Sequence, residues 1–288
     1  MVNQAAGSAP DGDLVDTIRE HLPSALVVEL EDGADLETVL REAADGALAL
    51  GIAGGDGSVN SAAGIAYERG VPLMVIPAGT LNHLARDLGL HSAEQAVAAV
   101  RNGDLVAMDV GEIDGKLFLN TASFGSYTEL VDTRESLEDR IGKWPAMVVA
   151  LGRVLRHARP PVAEMDGTRQ RVWMIFVGNC RYHPHGFAPT WRERLDDGLL
   201  DVRIVSAQHP GSRSRLLFAV LTGRLSRCRA YEERTVTELR VRSLDGRSRL
   251  ARDGETFDGS ADFTVTKRSE PLMVYVPHDE GQPSSTRR

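Results

Sequence analysis

Apolar residues in the first hundred positions fall into short unbroken runs separated by stretches with helical spacing. Residues 47–53 and 71–76 are runs of strand length with almost no polar interruption, the pattern of strands covered on both faces in a parallel sheet. Residues 25–30 read as a further strand. Residues 1–8 look like the end of a strand entering a turn, so the first strand of the sheet is expected to be truncated and the sheet edge incomplete. Between these runs, Leu14, Ile18 and Leu22 recur four apart behind Asp13 and predict an amphipathic helix over 13–22. Residues 36–44, 61–69 and 92–100 read as further helices, the last opened by Ser92 and Gln95 as a capping pair. Strand and helix alternate to about residue 105, which predicts an α/β domain over 1–105 with a parallel sheet and helices on both faces.

The pattern changes near Asp104. Residues 106–113, 116–121, 171–177, 200–205, 237–242, 247–251 and 272–276 are short β-rich runs, several of them alternating apolar with polar. They predict a second, mostly antiparallel β-sandwich domain over 106–278, followed by a polar tail, 279–288. Two helical insertions interrupt it. Residues 136–159 set Trp144, Met147, Leu151 and Leu155 beside Arg140, Lys143, Arg153 and Arg156, and residues 212–229 set Leu216, Leu217 and Phe218 beside Arg213, Arg215 and Arg224. No acid occurs between Val202 and Tyr231. Either stretch is a solvated charged face over a core-facing stripe, or a surface for an anionic bilayer.

Composition narrows the options. With 288 residues, 42% of them hydrophobic and 26% charged, the chain has the make-up of a water-soluble globular protein with room for two domains. A net charge of −8 argues against nucleic acid as a partner. No run approaches the ~18 apolar residues of a membrane span, and the first residues are polar rather than leader-like. A cytoplasmic location is expected, peripheral at the inner membrane surface if the basic stretches meet a bilayer. Cys180 and Cys228 have no metal-ligand spacing and read as reduced structural thiols, while His157, His183, His185 and His209 are scattered and read as structural or surface residues.

The candidate chemistry lies at the ends of two successive strands. Gly54, Gly55, Asp56, Gly57, Ser58, Val59 and Asn60 form a glycine-rich turn into a helix. Such a turn permits positive φ, lets a ligand approach the main chain, and offers unpaired helix-start N–H groups to an anion. Asp56 is badly placed against bare phosphate but well placed to hold a Mg2+ that bridges phosphates. The next strand ends in a second polar turn containing Gly79, Thr80 and Asn82. In an open α/β sheet, neighbouring strand ends share the edge where ligands bind.

The pairing of these two turns resembles the diacylglycerol kinase catalytic family, which includes bacterial lipid kinases and sphingosine kinases. The resemblance continues in family order through Asp109-Val110-Gly111, Phe118 to Gly125, Phe176 to Asn179, Asp197 to Val202, and Asp253-Gly254-Glu255. Ser58 stands where the family usually has Thr, and His83 where many members have Asp. The resemblance implies a two-domain fold of the NAD kinase and diacylglycerol kinase type. It implies ATP held by Gly54 to Asn60, Gly79, Thr80 and Asn82, with Asp56 helping to place Mg2+. It also implies that Asp253 is the proton acceptor, that Glu255 orients the metal and its water, and that a second Mg2+ is bound by the Arg194 and Leu199 carbonyls and the Asp197 carboxylate. Local sequence alone reads Asp253-Gly254 as a hairpin turn. Catalysis is then expected in an interdomain cleft, with a membrane lipid as substrate, diacylglycerol the default acceptor, and a homodimer conceivable at the incomplete sheet edge. An NAD kinase-like soluble enzyme and a non-catalytic nucleotide- or lipid-binding relative are the alternatives.

Overall fold

A computed structural model describes residues 1–2, 12–30, 33–125, 160–185, 190–208, 211, 215, 219, 228–246 and 248–278. The predicted basic helices, apart from isolated positions, and the polar tail lie outside the described residues. The chain divides into two compact units, Met1–Met108 with Glu270–Arg288, and Asp109–Ser269.

In chain order the first unit contains α1 (Gly12–His21), α2 (Leu36–Ala44), β1 (Leu50–Gly54), α3 (Asp56–Arg69), β2 (Leu73–Pro77), α4 (His83–Asp87), α5 (Ala93–Asn102) and β3 (Leu105–Met108). β1 and β2 pair in parallel from Leu50 opposite Leu73 to Gly54 opposite Pro77. The two strands therefore end level, and the turns that follow them leave the same edge. Ile52, Ala53, Leu73 and Val75 are almost completely buried, as unbroken apolar runs require. α3 stops at Gly70, whose φ of 65° places it in the left-handed region favoured by glycine.

Residues 25–30 do not become a strand. Met1 and Val2 lie alongside β1, with Ala53 N donating to Met1 O at 2.9 Å, while Val2 N donates to Val28 O at 2.8 Å and Leu30 N to Val2 O at 3.0 Å. Among the described residues Val2 is its bridging partner, at Glu29, and the segment forms a single bridge. A strand needs a ladder, and an apolar run without one stays irregular.

The second unit contains β4 (Gly111–Ile113), β5 (Lys116–Phe118), β6 (Thr121–Gly125), β7 (Val162–Met165), β8 (Thr168–Asn179), β9 (Tyr182–His183), β10 (Trp191–Arg192), β11 (Leu200–Ser206), β12 (Tyr231–Val236), β13 (Leu239–Ser243), β14 (Ser248–Arg252), β15 (Glu255–Gly259) and β16 (Asp262–Lys267). β8 is the corner strand: residues 168–171 pair with β7, and its later residues lie between β6 and β11. One layer runs β15-β14-β6-β8-β11-β12 and the other β7-β13-β16-β4-β5. Ring contact between Phe124 of the first layer and Phe263 of the second, 5.5 Å between centroids, marks the interior. Phe118, Ile175, Leu200, Val241 and Leu250 complete a continuous apolar core. This is the expected antiparallel sandwich.

Two predicted strands join a different sheet from the one expected. Residues 106–113 split at Asp109 and Val110: β4 enters the sandwich, whereas β3 stays in the first unit. The segment 272–276 also leaves the sandwich. It forms β17 (Leu272–Tyr275), which pairs in parallel with β2 through Val274 and Leu73, and antiparallel with β3. The first sheet is thus mixed, ordered β1-β2-β17-β3, and its third strand in that order comes from beyond the sandwich in sequence. Apolar periodicity reports which face is buried; it carries no information about which distant strand supplies the hydrogen bonds.

Candidate functional site

The turn from β1 into α3 is built for close backbone approach. Gly55 caps α3 with φ −83° and ψ 179°, ordinary extended backbone. None of Gly54, Gly55, Gly57 and Gly79 has positive φ, so the conformational freedom expected of these glycines is not what the turn uses. What matters is bulk. A Cβ on Gly79 would lie 2.5 Å from Gly55 Cα, so the turns after β1 and β2 touch main chain to main chain. Gly57 is exposed, and a Cβ there would meet nothing. The α3 ladder begins with Val59 N donating to Gly55 O at 3.0 Å. Gly55 brings no side chain to cap this helix end, so the positive end of the helix dipole and the backbone of Asp56 and Gly57 face outward without bulk at Gly55 and Gly57, a geometry that suits an anion.

The second turn is locked by Asn82, which has φ 48° and ψ 48°. Its Oδ1 accepts from Gly79 N at 2.9 Å and its Nδ2 donates to Gly79 O at 2.7 Å. Asp56 ties the turns together: its Oδ1 accepts from His83 N at 2.8 Å, at the start of α4. The contact uses the main chain of residue 83, so a histidine there serves as well as any other residue. Thr80 is exposed between these anchors, whereas Gly54, Ser58 and Val59 are buried. Of the predicted nucleotide-binding residues, the structure thus gathers Gly55, Asp56, Gly57, Gly79, Thr80 and Asn82 around one sheet edge. Gly54, Ser58 and Val59 support that edge from inside.

In the second unit, Asp253-Gly254 is both a hairpin turn and a site. Arg252 and Glu255 close the β14–β15 hairpin, and the two residues between them have φ +46° and +91°, as a two-residue turn with both centres left-handed requires. The Asp253 carboxylate accepts from Leu119 N at 2.7 Å, Asn120 N at 2.8 Å and Thr121 N at 2.9 Å. Arg192 grips the same segment from its carbonyl side. Its Nη1 donates to Leu119 O at 2.8 Å and its Nη2 to Asn120 Oδ1 at 2.9 Å. Asn179 Nδ2 adds bonds to Leu119 O and Asp109 O at 2.9 and 2.7 Å. Burial pushes the Asp253 carboxyl above the usual carboxylate range, against the opposing pull of the three amides and Arg192. A carboxylate offers about four lone-pair positions, and three N–H groups already occupy most of them here. Asp253 is therefore a positioning residue first. Glu255, on the far side of Gly254, has an exposed side chain.

The third predicted site holds a surprise. Asp197 Oδ1 accepts from Leu199 N at 2.9 Å and Oδ2 from Arg181 N at 3.0 Å. The Leu199 carbonyl, expected to face a metal, accepts from Cys180 N at 3.0 Å. Asp197, Asp109 and Cys180 bring ligand-type atoms within 4.8 Å of one another, but Lys267 reaches into the same group. Its Nζ lies 2.5 Å from Asp109 Oδ2, 3.6 Å from Asp197 Oδ1 and 3.1 Å from Cys180 Sγ. Burial raises the Asp197 pKa, but the amides of Leu199 and Arg181 and the Lys267 ammonium outweigh it and leave the carboxyl below its ordinary value. With an ammonium already among the acids, these residues do not fit a divalent cation. The Asp197 carboxylate of the Arg194, Asp197 and Leu199 metal site implied by the resemblance thus faces an ammonium.

Sequence reasoning missed Arg192 and Lys267. No local pattern marks Arg192. Lys267 was signalled by alternation, since Phe263 and Val265 are buried at two-residue spacing and Lys267 falls next on that face.

A mixed α/β sheet with a glycine-rich edge and an antiparallel sandwich in one chain make up the fold of the diacylglycerol kinase and NAD kinase type. Residues 1–113 match the model of the diacylglycerol kinase catalytic domain. The chain is 31% identical over 264 residues, 88% of its length and 84% of the relative's, to a protein of Pseudomonas aeruginosa named "Probable lipid kinase YegS-like". It is 31% identical over 182 residues, 59% of each chain, to a diacylglycerol kinase of Bacillus subtilis. In fold it is similar to a solved diacylglycerol kinase of Bacillus anthracis, with TM-score 0.67 and 18% identity over 96% of this chain and 94% of that one. The chain belongs to the lipid kinase family that carries the diacylglycerol kinase catalytic domain.

Proposed function

We propose that the protein transfers the γ-phosphate of ATP to a hydroxyl of a membrane lipid, with diacylglycerol the default acceptor and Mg2+ arriving with the nucleotide. The observation that carries this reading is the contact of the Gly55 and Gly79 backbones beside the start of α3. It makes a bulk-free, amide-lined surface suited to a polyphosphate. Asp56 engages one carboxylate oxygen with His83 N and would hold the nucleotide's Mg2+ through the other. That ion offsets the charge on the phosphate oxygens when bound.

Phosphoryl transfer asks for positioning and for a place to put one proton. The lipid hydroxyl oxygen bonds to the γ-phosphorus as the β–γ bridging oxygen leaves with ADP, and the hydroxyl proton passes to a carboxylate. We assign that carboxylate to Glu255, whose exposed position leaves it accessible, with Asp253 holding the hairpin that carries it. Such an acceptor implies peripheral contact with a bilayer surface. Among the described residues no helix is long and apolar enough to cross a membrane. The test compares Glu255→Gln with Asp253→Asn for transfer from ATP·Mg2+ to diacylglycerol in mixed micelles. The expected result is loss of about 100-fold or more in kcat for Glu255→Gln with an unchanged thermal midpoint. Full activity in Glu255→Gln would overturn the assignment.

A further inference from the structure

We infer that Lys267 is the built-in cation of the second unit: its ammonium occupies the cluster of Asp109, Cys180 and Asp197 that would otherwise take a divalent metal ion. The four residues come from four separate segments: the link between β3 and β4, the end of β8, the turn before β11, and the end of β16. They are brought together in a part-buried spot, with side-chain exposures of 10% for Lys267, 20% for Asp109 and 6% for Asp197. A lysine this enclosed is held only where acids compensate it.

Two carboxylates face the Lys267 ammonium and the Arg181 guanidinium, which lies 3.6 Å from Asp197 Oδ2, so two negative charges meet two positive ones without a metal. Main chain adds to this: Gly198 N donates to Asp109 Oδ2 at 2.8 Å, and Leu199 N and Arg181 N donate to Asp197. The Cys180 sulfur is buried and donates toward Asp109 Oδ2 at 3.5 Å.

The lysine also works differently from an ion. It is covalently part of β16, so its charge cannot dissociate, and the loops carrying Asp109 and Asp197 are joined to the sandwich at any metal concentration. A chelator then has nothing to remove, and a divalent cation has nothing to stabilise. Cutting the side chain back leaves two carboxylates and nearby carbonyls, the oxygen-rich environment a hard cation prefers.

The experiment measures Mn2+ binding by equilibrium dialysis and the thermal midpoint in EDTA and in millimolar Mg2+, all without nucleotide. For the native chain the expected result is no Mn2+ bound in a manner sensitive to Asp197→Asn, and midpoints equal within about 1 °C in EDTA and Mg2+. Lys267→Ala is expected to melt lower in EDTA and to recover by several degrees in Mg2+ or Mn2+, a response absent from Lys267→Ala with Asp197→Asn. The native-chain measurement stands even if the variants fail to fold. One Mn2+ per native chain, lost in Asp197→Asn, would overturn the inference, as would a folded Lys267→Ala whose midpoint ignores divalent ions.

Discussion

Replacing Asp253 separates the two roles a carboxylate can have at this hairpin. Its three accepted amide bonds, from Leu119, Asn120 and Thr121, are of the charge-assisted kind worth roughly 1.5–3 kcal/mol each. Some of that returns as the freed amides find water. Asp253→Gly, which keeps the left-handed φ at no cost, is expected to destabilise the second unit by about 3–5 kcal/mol. Asp253→Ala adds about 1 kcal/mol because residue 253 sits at φ +46°. Asp253→Asn keeps Oδ1 for Asn120 and Thr121 but turns an amide donor toward Leu119 N, for an expected loss of about 1–2 kcal/mol. The direction of the Asp253 shift sets the pH dependence. The folded carboxyl holds its proton above the ordinary value of 3.8, so the folded state binds more protons in the window from there up to the raised value. Stability therefore falls as pH rises through that window. Asp253→Asn removes that slope. Amide hydrogen exchange at Leu119, Asn120 and Thr121 reads the effect locally, with protection in Asp253→Asn expected to drop by roughly 5–30-fold. Unchanged protection at these three amides, together with complete loss of kinase activity, would refute the positioning role and return Asp253 to the part of proton acceptor.

Other consequences follow from single contacts. Gly79→Ala drives a Cβ to 2.5 Å from Gly55 Cα; the turns must separate, and ATP-dependent thermal stabilisation should disappear while the second unit's amide protection stays unchanged. Arg192→Met removes the donor to Asn120 Oδ1, a donor to the Asn179 carbonyl and one of the two donors to the Leu119 carbonyl and should cost about 3 kcal/mol in chemical denaturation. Asp56→Ala removes the acceptor for His83 N and should lower first-unit stability by about 1 kcal/mol, a loss that Asp56→Asn largely avoids. Brief iodoacetamide treatment of the native protein at neutral pH should label Cys228 and spare Cys180, which is buried with its thiol raised to about 11. Mass spectrometry would distinguish the two.

What could be read from the sequence follows the range of the interactions involved. The runs before Gly54 and Gly79 announced β1 and β2 because a parallel strand covered on both faces writes its burial directly into consecutive residues. The glycines announced the cradle, although their reason was close contact between two turns 24 residues apart in sequence, and not positive φ. β17 and β3 were seen as strands and assigned to the wrong sheet, since the partner of a strand is fixed by chain topology rather than by its own residues. β15 and β16 were not seen, and with β16 went Lys267. β12 was missed for a different reason: Tyr231 to Val236 alternates only weakly and carries Glu232, Glu233 and Arg234 on a strand paired on one side alone. Asp253 was legible as a turn and, through the family resemblance, as a functional position. Its bonds to three amides more than 130 positions away were not, because nothing local records them.

The measurement that bears most directly on the central claim is γ-phosphate transfer from ATP·Mg2+ to a panel of mixed-micelle acceptors. The panel contains diacylglycerol, ceramide, sphingosine and phosphatidylglycerol, with NAD as the soluble control and Glu255→Gln alongside. Phosphorylation of one lipid, lost in Glu255→Gln and absent with NAD, is the expected result. Phosphorylation of NAD, or of no lipid at all, would contradict the account.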